Sequence, residues 1–232
     1  MTIGDVLGEA FAVYRRLWRR SVVVAGLVSF VVSLAQALAN RHATTLTQLV
    51  AVLLSLAGSL LVQGALVEVV RDLHEGRAPA PVGEYYERTR GRLGTLLGTA
   101  LLYGLGAILI IPLARWALAV PLVVVERLKR RDAFARSSEL VRGRTGRVLV
   151  LVLITYAISG VAALLISSAF VALPNFLAAW IGGTVAGAVA VPFQAHVLTV
   201  LYYRLTEPER PILPDTPAPK PWTSVWNEEP PA

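Results

Sequence analysis

The sequence predicts an all-α protein, a polytopic transmembrane bundle of about six spans with amphipathic helices along its cytoplasmic face. Three observations predict it. Of 232 residues, 55% are hydrophobic and only 16% are charged, too few charges to cover a soluble domain of this length. Several apolar runs approach the ~20 residues that carry a helix across a bilayer. The basic residues behind the net charge of +7 flank those runs, where the positive-inside bias and anionic headgroups account for them. Nucleic acid is therefore not an expected partner. A soluble all-α domain would have to bury nearly every helix on all sides.

Residues 2–20 read TIGDVLGEAFAVYRRLWRR. Ile3, Val6, Leu7, Ala10, Phe11, Tyr14, Leu17 and Trp18 recur at helical spacing. Thr2 and Asp5 suit a capping box. Arg15, Arg16, Arg19 and Arg20 fill the other side, which makes this an interfacial helix on anionic lipid. The first apolar run starts behind it, unlike a signal peptide, whose basic region leads straight into the apolar core. Spans are expected at about 22–39 and 46–70, joined by a short outer turn. A basic segment with a second interfacial helix at about 81–90 follows.

The stretch Leu93–Val125 decides the topology. It is apolar, carries Arg115 as its one charge, and has strongly basic segments on both flanks. A single crossing would put one flank outside, against the positive-inside bias. An even number removes the conflict: a span at 93–111, a break at Pro112 and a return at 112–128, with Pro121 as a second break. Pro112 to Val125 is only 14 residues, so the return is a short span, or else a re-entrant arm buried in protein. A single kinked helix is the plainest alternative. A third amphipathic helix is expected at 132–142, with Asp132 as its N-cap, a membrane-facing stripe of Phe134, Ser137 or Ser138, and Val141, and Gly143 as its stop. Spans at 148–173 and 180–203 complete six crossings with both termini cytoplasmic. Residues 1–205 form one membrane domain. Residues 206–232, acidic and Pro-rich, read as a disordered tail. The three interfacial segments, GEAFAVYRRLWRR, GEYYERTRGR and DAFARSSELVRGRTGR, look like openings of an imperfect repeat.

The chain has no cysteine, and His42, His74 and His196 are far apart, so no metal-ligand spacing, cofactor motif or catalytic set is legible. Polar groups within spans are costly and face protein or water. Gln63, Glu68, Arg115, Gln194 and His196 are the candidate intramembrane site. Glu126 is expected to pair with Arg136 at the cytoplasmic boundary. Arg130 and Arg131 join the four N-terminal arginines as lipid contacts. Gly94 with Gly98, and Gly183 with Gly187, form GxxxG faces for close helix packing, within the monomer or against a second copy or another membrane protein.

The segment RWALAVPLVVVERLKRRDAFARSSELVRG carries Trp116, Pro121, Val123 to Val125, Glu126, Ala133, Arg136, Ser137 and Gly143. It resembles the membrane domain associated with glycerophosphoryl diester phosphodiesterases and a related group of uncharacterised bacterial membrane proteins. The resemblance implies a multi-pass protein of a bacterial cytoplasmic membrane. It does not imply phosphodiesterase activity, because the clustered carboxylates and histidines of metal-assisted hydrolysis are missing from the sequence. The expected function is non-catalytic: a scaffold, partner-binding or lipid-organising module. The alternative is a transporter or lipid-translocating protein built on the broken 93–125 element.

Overall fold

The computed structural model describes residues 2–41, 44–78, 80–99, 114–207 and 212. Among them the chain is helical. The elements are α1 (Ile3–Arg41), α2 (Thr45–His74), α3 (Val82–Arg90), α4 (93–99), α5 (Ala119–Val125), α6 (Arg130–Val141), α7 (Thr145–Ser168) and α8 (Asn175–Thr206), the last with one π-helical turn at Ala178–Gly182. Four of these, α1, α2, α7 and α8, are long and apolar enough to cross a membrane. Their outward faces are apolar too: Leu46 on α2 and Leu164 on α7 are each 70% exposed. A face of this kind belongs against lipid rather than water, so this is a membrane protein.

The first correction concerns α1. The interfacial helix at 2–20 and the span at 22–39 are one continuous helix of 39 residues, about 58 Å long at ~1.5 Å per residue against a ~30 Å hydrocarbon core. Residues 15–24 contain no Gly or Pro, so nothing breaks the helix where its polarity changes. Its start is capped as expected: the Thr2 N–H donates to Asp5 Oδ2 at 2.7 Å, and the Asp5 N–H to Thr2 Oγ1 at 3.2 Å.

The central seam runs between α1 and α8, which pack antiparallel. A Cβ on Gly187 would lie 2.6 Å from Ser29 Oγ, and one on Gly183 2.9 Å from Ser33 Oγ. This GxxxG face is therefore used inside the monomer. Near the far end the Trp180 indole N–H donates to the Phe30 carbonyl at 3.3 Å. At the near end Arg204 Nε meets Glu9 Oε2 at 2.6 Å, and the Ile212 N–H donates to the other oxygen of Glu9 at 3.2 Å. From Glu9 to Ser21, α1 advances further than α8 does between Arg204 and His196. The first half of α1 thus crosses α8 obliquely, while its second half runs alongside.

The second correction concerns the return leg. The short span expected at 112–128 is not a continuous helix. Ala114 and Arg115 are helical, Trp116–Leu118 turn, and α5 adds seven residues, about 10 Å of rise. That is too short to cross. Pro112 and residues 100–113 lie outside the described residues. Pro121 does not break α5 either: it sits in the first turn, where backbone N–H groups have no helical acceptor and the missing N–H costs nothing. The six expected crossings therefore stand against four candidate spans among the described residues.

A third correction follows for α6. It begins at Arg130, with Lys129 rather than Asp132 in the capping position. Ala133, Ser137 and Val141 are buried on protein, so the stripe faces the 114–125 arm and not the membrane. Gly143 stops the helix in the left-handed conformation, φ 77°, which glycine adopts without strain. The expected span over 148–173 ends at Ser168, and the last begins five residues early at Asn175. Of the tail expected to be disordered, all but Thr206, Glu207 and Ile212 lies outside the described residues.

Candidate functional site

Polar chemistry concentrates where α2, α3 and the 114–125 arm meet. The turn in the arm leaves backbone groups that no helix satisfies, and α6 supplies the partner. Ser137 Oγ donates to the Arg115 carbonyl at 2.6 Å and accepts from the Leu118 N–H at 3.3 Å. Trp116 packs on Phe134 with ring centroids 4.7 Å apart. Ala117, Leu118, Ala119, Leu122, Val123 and Val124 are all buried. The arm is irregular backbone sheltered by protein, the condition under which membrane proteins tolerate it.

The last turn of α5 is tied on two sides. Arg92 Nη1 donates to the Val124 carbonyl at 2.5 Å. Glu126 accepts from the Tyr202 hydroxyl at 3.0 Å. Arg136 reaches Glu126 only at 4.0 Å and lies closer to Glu139, at 3.0 Å. The expected Glu126–Arg136 contact is present at long range, and Tyr202 is the tighter partner.

Next to the arm lies a buried acid–arginine cluster. Glu68 and Asp72 are one turn apart on α2, 4% and 2% exposed. Glu68 has Arg71 at 3.8 Å, Arg88 at 4.0 Å and Arg92 at 4.0 Å. Asp72 is held closer, by Arg77 at 2.8 Å and Arg88 at 3.1 Å. Glu84 completes Arg88 at 2.5 Å, and Glu75 meets Arg71 at 2.8 Å and Arg77 at 2.6 Å. The Glu84 hydrogen bond, with Asp72 behind it, outweighs desolvation and raises the Arg88 guanidinium above its ordinary range. Burial pushes the Glu75 carboxyl up, but the Arg71 hydrogen bond and the charges of Arg71 and Arg77 overcome it and hold it below the ordinary carboxylate value. Acids and arginines balance, so the cluster neutralises itself and pins α2 to α3. Close by, a Cβ on Gly64 would collide with the Thr89 methyl, so the Thr89 side chain of α3 packs directly on the α2 backbone.

The structure does not gather the five expected intramembrane residues. Glu68 is in the cluster. His196 is fully buried, its Nε2 2.9 Å from Ser21 Oγ and its ring edge-on to Tyr14. Gln194 is half-buried on α8, and Arg115 is exposed. Gln63 lines a cavity of about 220 Å³ with Ser59, Thr99, Trp116 and Tyr156, which Glu68, Gln194 and His196 do not reach. Arg15, Arg16, Arg19, Arg20, Arg130 and Arg131 are exposed. Arg130 also lies over Gly98, where a Cβ would strike its guanidinium, so that second GxxxG glycine makes room for an arginine.

Sequence reasoning missed Asp72, Arg88, Arg92 and Tyr202. For Asp72 a signal existed: it follows Glu68 by four residues, on the same helical face. No group of three or more His, Cys, Asp or Glu among the described residues is arranged to hold a metal ion. No family model matches the chain, and neither a curated protein nor a solved structure matches it.

Proposed function

We propose that this chain is a non-catalytic integral membrane protein, a scaffold or lipid-organising module with its basic face toward anionic headgroups, of the kind that the resemblance to the phosphodiesterase-associated membrane domain suggests. The observation that carries the reading is the self-neutralised cluster. Glu68, the acid best placed for a transport role, is surrounded by Arg71, Arg88 and Arg92 and lines none of the described cavities. A group so paired cross-links helices at the cost of desolvation and has no free charge to offer a substrate. The six exposed arginines at 15–20 and 130–131 supply a surface for anionic lipid. In this reading both chain ends face the cytoplasm, and a second copy or another membrane protein is a natural partner.

A transport reading has one observation in its favour, the Gln63 cavity beside the broken arm. Reconstitution into liposomes with solute and lipid flux assays separates the two. The scaffold reading expects no flux above protein-free vesicles. Flux in wild type that is lost in Gln63→Leu would replace it with transport.

A further inference from the structure

We propose that the crevice between α1 and α7, floored by α8, holds one anionic glycerophospholipid, its phosphate at Arg144 and Arg147 and an acyl chain in the apolar trough beyond them. This rests on the reading of the chain as a lipid-contacting membrane module.

Two spaces lie in line along the same three helices. The first, about 110 Å³, is a mouth between Ile3 and Val6 of α1, Leu201 and Leu205 of α8, and the start of α7 with Arg144 and Arg147. The second, about 570 Å³, is walled by Gly8 and Phe11 of α1, Ile158 and Ala162 of α7, and Phe193 of α8. Its size falls within the ~300–1,000 Å³ of small-molecule sites.

The charge at the mouth selects the occupant's sign. Arg71, Arg77, Arg88, Arg136 and Arg204 each meet a carboxylate. Arg144 and Arg147 are exposed, and no carboxylate lies within ion-pair distance of either among the described residues. They stand at the first turn of α7, whose N–H groups no side chain caps, so the helix end adds to the attraction for a phosphate.

The length selects the rest. From Arg147 to Ile158, α7 rises about 16 Å, close to half of the ~30 Å hydrocarbon core. A headgroup at the arginines thus places its chain along the trough to about mid-membrane, as one leaflet requires. Apart from the Tyr14 and Ser159 hydroxyls the walls are apolar, which suits that chain.

The test uses the full chain in vesicles of equal phosphatidylglycerol and phosphatidylcholine, washed with alkaline carbonate, extracted in mild detergent and read by native mass spectrometry. Wild type retains one phosphatidylglycerol, favoured by about 30-fold over phosphatidylcholine if each arginine contributes as basic groups do at an anionic surface. Arg144→Gln with Arg147→Gln abolishes the preference, while Arg90→Gln with Lys129→Gln, two exposed cations away from the crevice, leaves it intact. Gly8→Leu fills the trough and removes the bound lipid. A Cβ on Gly8 meets nothing within 4 Å, so the fold accepts it, and Ala162→Leu serves as a second plug. Retention in both plug variants, or equal retention of the two lipids by wild type, overturns the site. So does loss of lipid in Ser159→Ala, since a hydroxyl at the apolar end matters only to a polar occupant. Failure of wild type to stay with the washed vesicles overturns the membrane reading itself, a distinct result.

Discussion

The Ser137 hydroxyl holds the Arg115 carbonyl at 2.6 Å and takes the Leu118 N–H at 3.3 Å, so one side chain of α6 satisfies two backbone groups at the turn in the arm. Replacing it leaves a buried carbonyl and N–H without partners. Ser137→Ala is expected to lower stability by about 1–3 kcal/mol, seen as a lower unfolding midpoint in detergent. The stacked Trp116 should report the loosening by a red-shifted emission. An unchanged midpoint and spectrum would mean that the arm does not depend on this clasp.

Asp72 is the most buried acid in the cluster, while its partners Arg77 and Arg88 are partly exposed and keep Glu75 and Glu84. Asp72→Ala should therefore cost about 1.5–3 kcal/mol, the range of hydrogen bonds to charged groups. Asp72→Leu combined with Arg88→Met should cost less than the sum of the single changes, because both remove the same contact. Additive losses would show that the two residues are not coupled.

The α1–α8 seam has no room at Gly187. Gly187→Val is expected to force the helices apart at Ser29 and destabilise by about 1–3 kcal/mol. Gly146→Ala, whose Cβ meets nothing within 4 Å, is the comparison and should be neutral or mildly stabilising. Equal effects at the two positions would refute close packing at Gly187.

Glu75 sets an acid limit. Its carboxyl lies below the ordinary value in the fold, so the unfolded chain binds its proton more readily than the folded one. Its contribution is complete above the unfolded value and is lost as pH falls through the lower folded value. Stability measured in detergent should therefore drop on acidification, and Glu75→Gln should flatten part of that drop. An acid limb identical in the variant would assign the loss to other groups.

The chain has no cysteine, so single introduced thiols map its sides without background. Asn40→Cys and Asn175→Cys should react with an impermeant reagent from one face of oriented vesicles. Glu87→Cys and Arg131→Cys should react from the other. Asn40 and Glu87 labelling from the same face would break the arrangement proposed for α1 to α3.

The long helices were legible because hydropathy summed over about 20 residues is a transfer free energy, which each segment carries whatever its neighbours are. Hence α2, α7 and α8 and the far end of α1 lie within a few residues of the expected spans, and the cap at Thr2 and the stop at Gly143 stand where they were read. The pairing of Gly183 and Gly187 with a neighbour was legible as a kind of contact, though not that Ser29 and Ser33 would face them.

What only the tertiary structure decided was the fate of groups whose partners lie far along the chain. Composition marked 93–125 as broken, but that the described part of it, 114–125, packs on protein depended on Ser137 and on Tyr202, which arrive from far along the chain to hold Arg115, Leu118 and Glu126. Polarity divided α1 at Arg20, yet backbone hydrogen bonding, which ignores side-chain polarity, carried the helix straight through. Glu68 was visible as a costly charge in an apolar helix. Its neutralisation by Arg88 and Arg92 came from the return of α3 and α4 against α2, since a charge's energy is set by what surrounds it in space and not by its place in the sequence.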